Sequence, residues 1–153
     1  MPIDREGWTA TADSAEDGIG PENAIDGDTS TLWHTQWKLA APSTPHEIII
    51  DMGGNHWVDS LIYTPRTDGS SNGNINQYEV WVSSDNQIYG RVASGTMDYT
   101  TIPINVEFLI PNLVRYVKLI AVDSVGGKPW TTAAEIEITE SLPDIVIEGG
   151  GVQ

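Results

Sequence analysis

The 153-residue chain has no cysteine, a single phenylalanine, and only seven basic side chains against 22 acidic ones. Without cysteine, neither a disulfide framework nor a thiolate nucleophile is available. The formal net charge of −15 repels phosphate backbones and anionic headgroups, so nucleic acid and membrane surfaces are poor partners. The same charge suits divalent cations and neutral ligands. No apolar run approaches the ~20 residues of a membrane-spanning helix. No secretory leader stands ahead of Asp4, so Met1 reads as the boundary of an excised domain. What the chain does have is 15 glycines, nine prolines and six tryptophans, the composition of a loop-rich β protein. Its length suits one domain with a real core.

The apolar pattern agrees. Trp8 to Asp13 alternates over a few residues and predicts a first short strand. His46 to Met52 is a short apolar run, Gly53-Gly54-Asn55 a turn, and Val58 to Tyr63 the next strand, which Pro65 ends. In Gln77 to Ser84, Tyr78, Val80 and Val82 face one side and Glu79, Trp81 and Ser83 the other. Arg91 to Ser94 and Asn105 to Ile110 are further candidates, the latter with Val106 and Phe108 on one face. Arg115 to Val122 is the longest strand signal, with Val117, Leu119 and Ala121 inward. Glu135 to Thr139 closes the set, Ile136 and Ile138 inward and Glu135 and Glu137 outward. Such spacing without helical periodicity predicts an all-β jelly-roll β-sandwich over residues 1–140. Residues 141–153, with Pro143 and three consecutive glycines, read as a linker or tail.

The stretch from Asn23 to Trp37, NAIDGDTSTLWHTQW, organises the rest. Carboxylates at Asp26 and Asp28, with Thr31 and main-chain carbonyls around Gly27, suit a hard cation such as Ca²⁺. The alternative is an Asx-turn in which both aspartates cap local amides. Leu32 to Trp37 then places an imidazole, His34, between two indoles. Trp33 is assigned to the core. His34 and Arg66 are polar donors at loop positions, and Asn72 offers both a donor and an acceptor. Trp130 follows Pro129 in a loop, where an indole is an odd core residue. An aromatic face that packs on a sugar's C–H face, beside fixed hydrogen bonds to its hydroxyls, is a carbohydrate-binding arrangement. For Arg66 the competing role is a salt bridge to Asp68. No nucleophile elbow, catalytic carboxylate pair in a cleft or zinc spacing around His46 and His56 is present, so the chain does not read as an enzyme.

The central stretch resembles family 32 carbohydrate-binding modules of the coagulation-factor type C (discoidin) superfamily. The resemblance continues through Tyr63 to Gly73, Tyr78 to Asp85, Arg115 to Leu119 and Gly126 to Ile136, so it covers residues 5–140. It implies a galactose-binding-like fold and a lectin-like site at His34, Arg66, Asn72 and Trp130, with Trp37 at a position that is aromatic in the family. It also implies a structural calcium held by Asn23, Asp26, Asp28, Thr31, Ala134 and Glu135. The function implied is binding of terminal galactose on glycans by a secreted, monomeric, non-catalytic module that targets a covalently attached catalytic domain. The alternative is a structural or adhesive discoidin-like domain without sugar binding. Where part of the family has a disulfide, the matching positions here are Ala12 and Pro21.

Overall fold

The computed structural model describes residues 1–97 and 102–142; beyond Leu142 the expected linker lies outside the described residues. Among the described residues eight strands follow one another: β1 (Thr9–Ala12), β2 (Trp33–His34), β3 (His46–Thr64), β4 (Gln77–Ser83), β5 (Gly90–Thr96), β6 (Ile104–Ala121), β7 (Thr132–Ala133) and β8 (Glu135–Glu140). Helical structure among the described residues is confined to 3₁₀ turns at Pro21–Ile25 and Val125–Gly127. All strand pairs are antiparallel.

Two long strands make the sandwich. Turn residues at 53–55 predict a break, yet β3 runs unbroken from 46 to 64, with a register shift between Asp51 and His56 against β6. Gly53 sits there at φ 79°, a conformation that glycine adopts without penalty. A bulge of this kind bends a strand while the ladder continues. β6 likewise fuses two predicted strands: Ser60 pairs Glu107 and Val58 pairs Asn112, with residues 108–111 bulging between them. The first half of β3 and the second half of β6 join β1, β4 and β5 in one layer, in the order β1-β3-β6-β4-β5. The second half of β3, the first half of β6 and β8 make the other layer.

The core lies between these layers. Ile48, Ile50, Val58, Leu61, Val80, Val117, Ile136 and Ile138 are all buried, the faces that period-2 alternation selects. Trp33 belongs to this core as expected, with its indole N–H donating to the Ser14 carbonyl at 2.9 Å. Glu135 departs from the alternation. It is 3% exposed rather than outward-facing, because the first residue of β8 turns in beneath the 26–27 loop, where the Gly27 N–H and Arg5 meet its carboxylate. The N-terminal segment lies along β8: Ile3 N–H donates to the Ile138 carbonyl at 2.9 Å, and Glu140 N–H to that of Met1 at 2.8 Å.

Candidate functional site

The short β2–β7 pair does the assembling. Trp33 pairs Ala133 and His34 pairs Thr132, and Thr35 N–H donates to the Thr131 carbonyl at 3.0 Å. This sets His34 beside the segment that carries Trp130. The loop after β3 is held against the same strand through Gly73, whose carbonyl accepts from Thr132 N–H at 2.9 Å. A Cβ at Gly73 would lie 2.6 Å from the Thr132 side chain, so only glycine allows this approach. Arg66 and Asn72 are thereby brought to the same place. The result is a cleft of about 400 Å³ lined by His34, Trp37, Arg66, Asn72 and Trp130, together with Ile19, Leu32, Asp68 and Ser70.

Arg66 is committed at one edge. Its Nε and Nη2 donate to Asp68 Oδ1 and Oδ2 at 2.8 and 2.6 Å, and its Nη1 to the Asn72 carbonyl at 2.9 Å. The salt bridge weighed against a binding role is therefore present, and it coexists with a place in the cleft. A guanidinium carries five N–H donors, so with these three bonds made, two N–H groups are left over. The Arg66 hydrogen bonds hold the Asp68 carboxyl down at about 2, against some desolvation. Asp68 is therefore ionised at any physiological pH.

His34 differs from the sequence expectation of a donor. Its Nδ1 lies 2.6 Å from the Thr35 carbonyl, and a carbonyl only accepts, so Nδ1 carries the proton. Burial pushes the His34 pKa down; the Thr35 carbonyl opposes this, and the Arg66 charge adds to the downward push. The ring is therefore neutral near pH 7, and Nε2 is a lone-pair acceptor. His34 and Arg66 thus bring one acceptor and a set of donors to the same cleft. The Trp37 ring, 42% exposed, lies 5.7 Å from His34 between centroids. Trp130 is half-buried, and its Nε1 is buried without a hydrogen-bond partner among the described residues. The Asn72 main chain is bonded to Ser70 and Arg66, while its exposed side chain makes no hydrogen bond among the described residues.

Sequence reasoning missed the apolar floor, Ile19 and Leu32, and gave Asp68 no role in the site. It also dismissed His46, which is buried and fully engaged. Nδ1 meets Asp13 Oδ2 at 2.8 Å, and Nε2 meets the Pro129 and Pro42 carbonyls at 2.7 and 3.0 Å. Desolvation works against its charge, but Asp13 and the two carbonyls outweigh it and raise its pKa. His46 thereby pins the residue that precedes Trp130.

The oxygen-rich loop adjoins the loop that carries Arg66, the Thr67 hydroxyl donating to the Thr29 carbonyl at 2.7 Å. The Thr31 hydroxyl is hydrogen-bonded to Asp26 Oδ2 and approaches the Asp28 and Asn23 carbonyls at 3.0 and 3.5 Å. Glu135 Oε1 accepts from Gly27 N–H at 3.0 Å and from Arg5 Nη1, while Glu135 Oε2 is buried with no hydrogen-bond partner among the described residues. Burial, added to by the adjoining Asp26 carboxyl, pushes Glu135 up to about 7 despite the Gly27 N–H and Arg5. Asp28 Oδ1 is taken up locally, accepting from Ser30 N–H and Oγ at 2.9 and 2.5 Å. The Asp28 carbonyl is the oxygen that meets the Thr31 hydroxyl in this cluster. Ala134, buried, donates its N–H to the Thr64 carbonyl at 2.9 Å and places Glu135. Among the described residues no three acidic, histidine or cysteine side chains gather as a metal cluster. The donors here are instead two carboxylates, carbonyls and a hydroxyl, which is hard-cation chemistry.

Known proteins share this sequence and architecture. The F5/8 type C domain model matches residues 8–136. Galactose oxidase of Gibberella zeae is 41% identical over 143 residues, 91% of this chain and 21% of that protein. A sialidase of Micromonospora viridifaciens is 38% identical over 125 residues, 80% of this chain and 19% of that protein. The chain thus spans about a fifth of the length of these relatives. Among solved structures, a family 32 carbohydrate-binding module of Clostridium perfringens in complex with galactose is 31% identical with a TM-score of 0.81, covering 90% of this chain and 96% of that one. Another module from that organism, in complex with GalNAc-β-1,3-galactose, is 30% identical with a TM-score of 0.83, covering 90% and 99%. The chain belongs to the F5/8 type C domain family, and within it to the family 32 carbohydrate-binding modules.

Proposed function

We propose that this module binds terminal galactose in the cleft of His34, Trp37, Arg66, Asn72 and Trp130, and holds a longer, secreted enzyme on galactose-bearing glycans. The observation that carries this reading is that one cleft is lined both by His34, whose Nε2 is left as an acceptor, and by Arg66, which keeps two N–H groups unused. One hydroxyl can donate to the first and accept from the second. Galactose and glucose differ only at the fourth hydroxyl, and the axial one stands off the ring face that packs on an indole. An equatorial hydroxyl would leave one of the pair unmatched, at a cost of about 1–3 kcal/mol. A single sugar buries little surface, so binding is weak, with Kd on the order of 10⁻⁴ to 10⁻³ M. Useful targeting then rests on effective concentration, raised by the attached enzyme or by further modules.

Calcium serves this site structurally. Asn23, Asp28 and Ala134 would offer carbonyls, Asp26 and Glu135 carboxylate oxygens, and Thr31 its hydroxyl. The unpartnered Glu135 Oε2 beside Asp26 fits such a cation. A cation there would tie the 23–31 loop to β8, and through β2 steady His34. Titration calorimetry with galactose, lactose and glucose tests the sugar reading. Galactose and lactose should bind and glucose should not; equal binding of galactose and glucose would overturn it.

A further inference from the structure

Of the seven basic side chains, five are ion-paired: Arg5 with Glu135, Arg66 with Asp68, Arg91 with Glu79, Arg115 with Asp51 and Lys118 with Glu47. Lys38 and Lys128 make no ion pair among the described residues, although acidic groups outnumber basic ones 22 to seven. Each lies over an indole instead. Lys38 Nζ is 5.0 Å from the Trp37 ring centroid and Lys128 Nζ 6.0 Å from that of Trp130. These are the two indoles that line the cleft, and they come from loops more than 90 residues apart in sequence.

We infer that the cleft takes a galactose-type sugar carrying an anionic substituent, a sulfate ester or a carboxylate, which Lys38 and Lys128 meet at its rim. This rests on the galactose reading above and narrows its ligand. The anions already near the cleft do not fill that role. Both Asp68 oxygens are occupied by Arg66. Glu16 lies close enough to feel the Lys38 charge, but its Oε1 accepts the main-chain N–H groups of Trp37 and Lys38 at 2.9 and 3.0 Å. The cleft floor therefore reads a neutral ring, since its one guanidinium is balanced by its one carboxylate. The rim adds two exposed ammonium groups. A lysine is a point charge on a flexible stem, suited to an anion whose position on the sugar varies, where an arginine fork would impose one geometry. Cation–π contacts at exposed sites are weak, so either ammonium is free to leave its indole for a full negative charge.

The test is titration calorimetry of the parent and of a K38Q/K128Q double variant with galactose, galactose 6-sulfate and galacturonic acid, at low and at high salt. The parent should bind at least one acidic ligand about three- to tenfold more tightly than galactose at low salt, the range of two exposed charge contacts. High salt should erase that advantage, and the double variant should bind all three ligands alike. A gain for the sulfate alone assigns a sulfate ester, a gain for the uronate alone a carboxylate, and a gain for both any anion. If galactose binds but neither acid binds better, or if the advantage survives in the double variant, this inference is overturned and the galactose reading stands. If none of the three binds, the galactose reading itself has failed.

Discussion

The cleft and the oxygen-rich loop share one stretch, residues 23–37, yet their titratable groups are satisfied in opposite ways. In the cleft, Arg66 is met by Asp68 and the Asn72 carbonyl, and His34 Nδ1 by the Thr35 carbonyl. In the loop, Glu135 Oε2 is buried near the Asp26 carboxyl with no hydrogen-bond donor among the described residues. A buried group left unmatched costs about 1–3 kcal/mol. A site of the first kind holds its shape by itself and can exchange its ligand freely. One of the second kind is short of a partner and should hold on to whatever supplies it.

The largest expected effect tests the second kind. With calcium at about 100 Kd, a cation bound only by the folded state adds roughly 2.7 kcal/mol. Melting should therefore fall in chelator, and Asp26→Ala should melt alike with and without it. An unchanged melt in chelator, with no metal found by elemental analysis, would sink the calcium site. Next in size, Arg66→Ala should weaken galactose at least tenfold, about 1.4 kcal/mol, while its response to chelator stays that of the parent. If both responses vanish together, the two sites are one cooperative unit and the contrast drawn here fails.

A smaller effect reads the clip behind Trp130. The pKa of His46 is raised in the folded state, so its stabilisation is full below the ordinary histidine value of about 6.5 and is lost as pH rises through the raised one. Its partner Asp13 is lowered, desolvation opposing and His46 prevailing, so its share is present above the ordinary carboxylate range and fails in acid. Stability should fall by about 1 kcal/mol as pH rises past the raised His46 pKa, a charge-assisted hydrogen bond discounted for the part-exposed Asp13. His46→Gln should flatten that slope in thermal melts taken across the range. Smallest of all is Asp28→Ala. It removes a carboxylate whose Oδ1 caps Ser30 and leaves in place the carbonyl that meets Thr31, so calcium affinity measured by calorimetry should barely move. A loss as large as that of Asp26→Ala would put the Asp28 carboxylate on the cation.

Much of this was legible in the chain. Alternation locates the buried faces of β4, β6 and β8 apart from Glu135, and Trp33 lies in the core. The continuity of β3 and β6 was not legible, because Gly53-Gly54-Asn55 and Pro111 are punctuation for a turn and for a bulge alike. Nor was the proton on His34, which is fixed by where the Thr35 carbonyl lies in space. Asp68 sits only two residues from Arg66, so the pairing was foreseeable, but its coexistence with the cleft depends on how Gly73 packs on Thr132. Ile19 and Leu32 have no periodicity to betray them; the fold alone makes them a floor.

The N-terminal segment, laid antiparallel along β8, has a mechanical consequence. Met1 and Glu140 are bonded to each other at one end of that pair, and Arg5 grips Glu135 at the other. Tension applied at the two chain ends therefore loads these bonds in sequence rather than together. Met1–Glu140 opens first, then Ile3–Ile138, and the peeling reaches Arg5–Glu135 last. The ladder behaves as a zipper whose stop is the ion pair beside the oxygen-rich loop. A module pulled by its ends would lengthen by several residues before the load reached Glu135, while the loops that form the cleft stayed seated on β2 and β7.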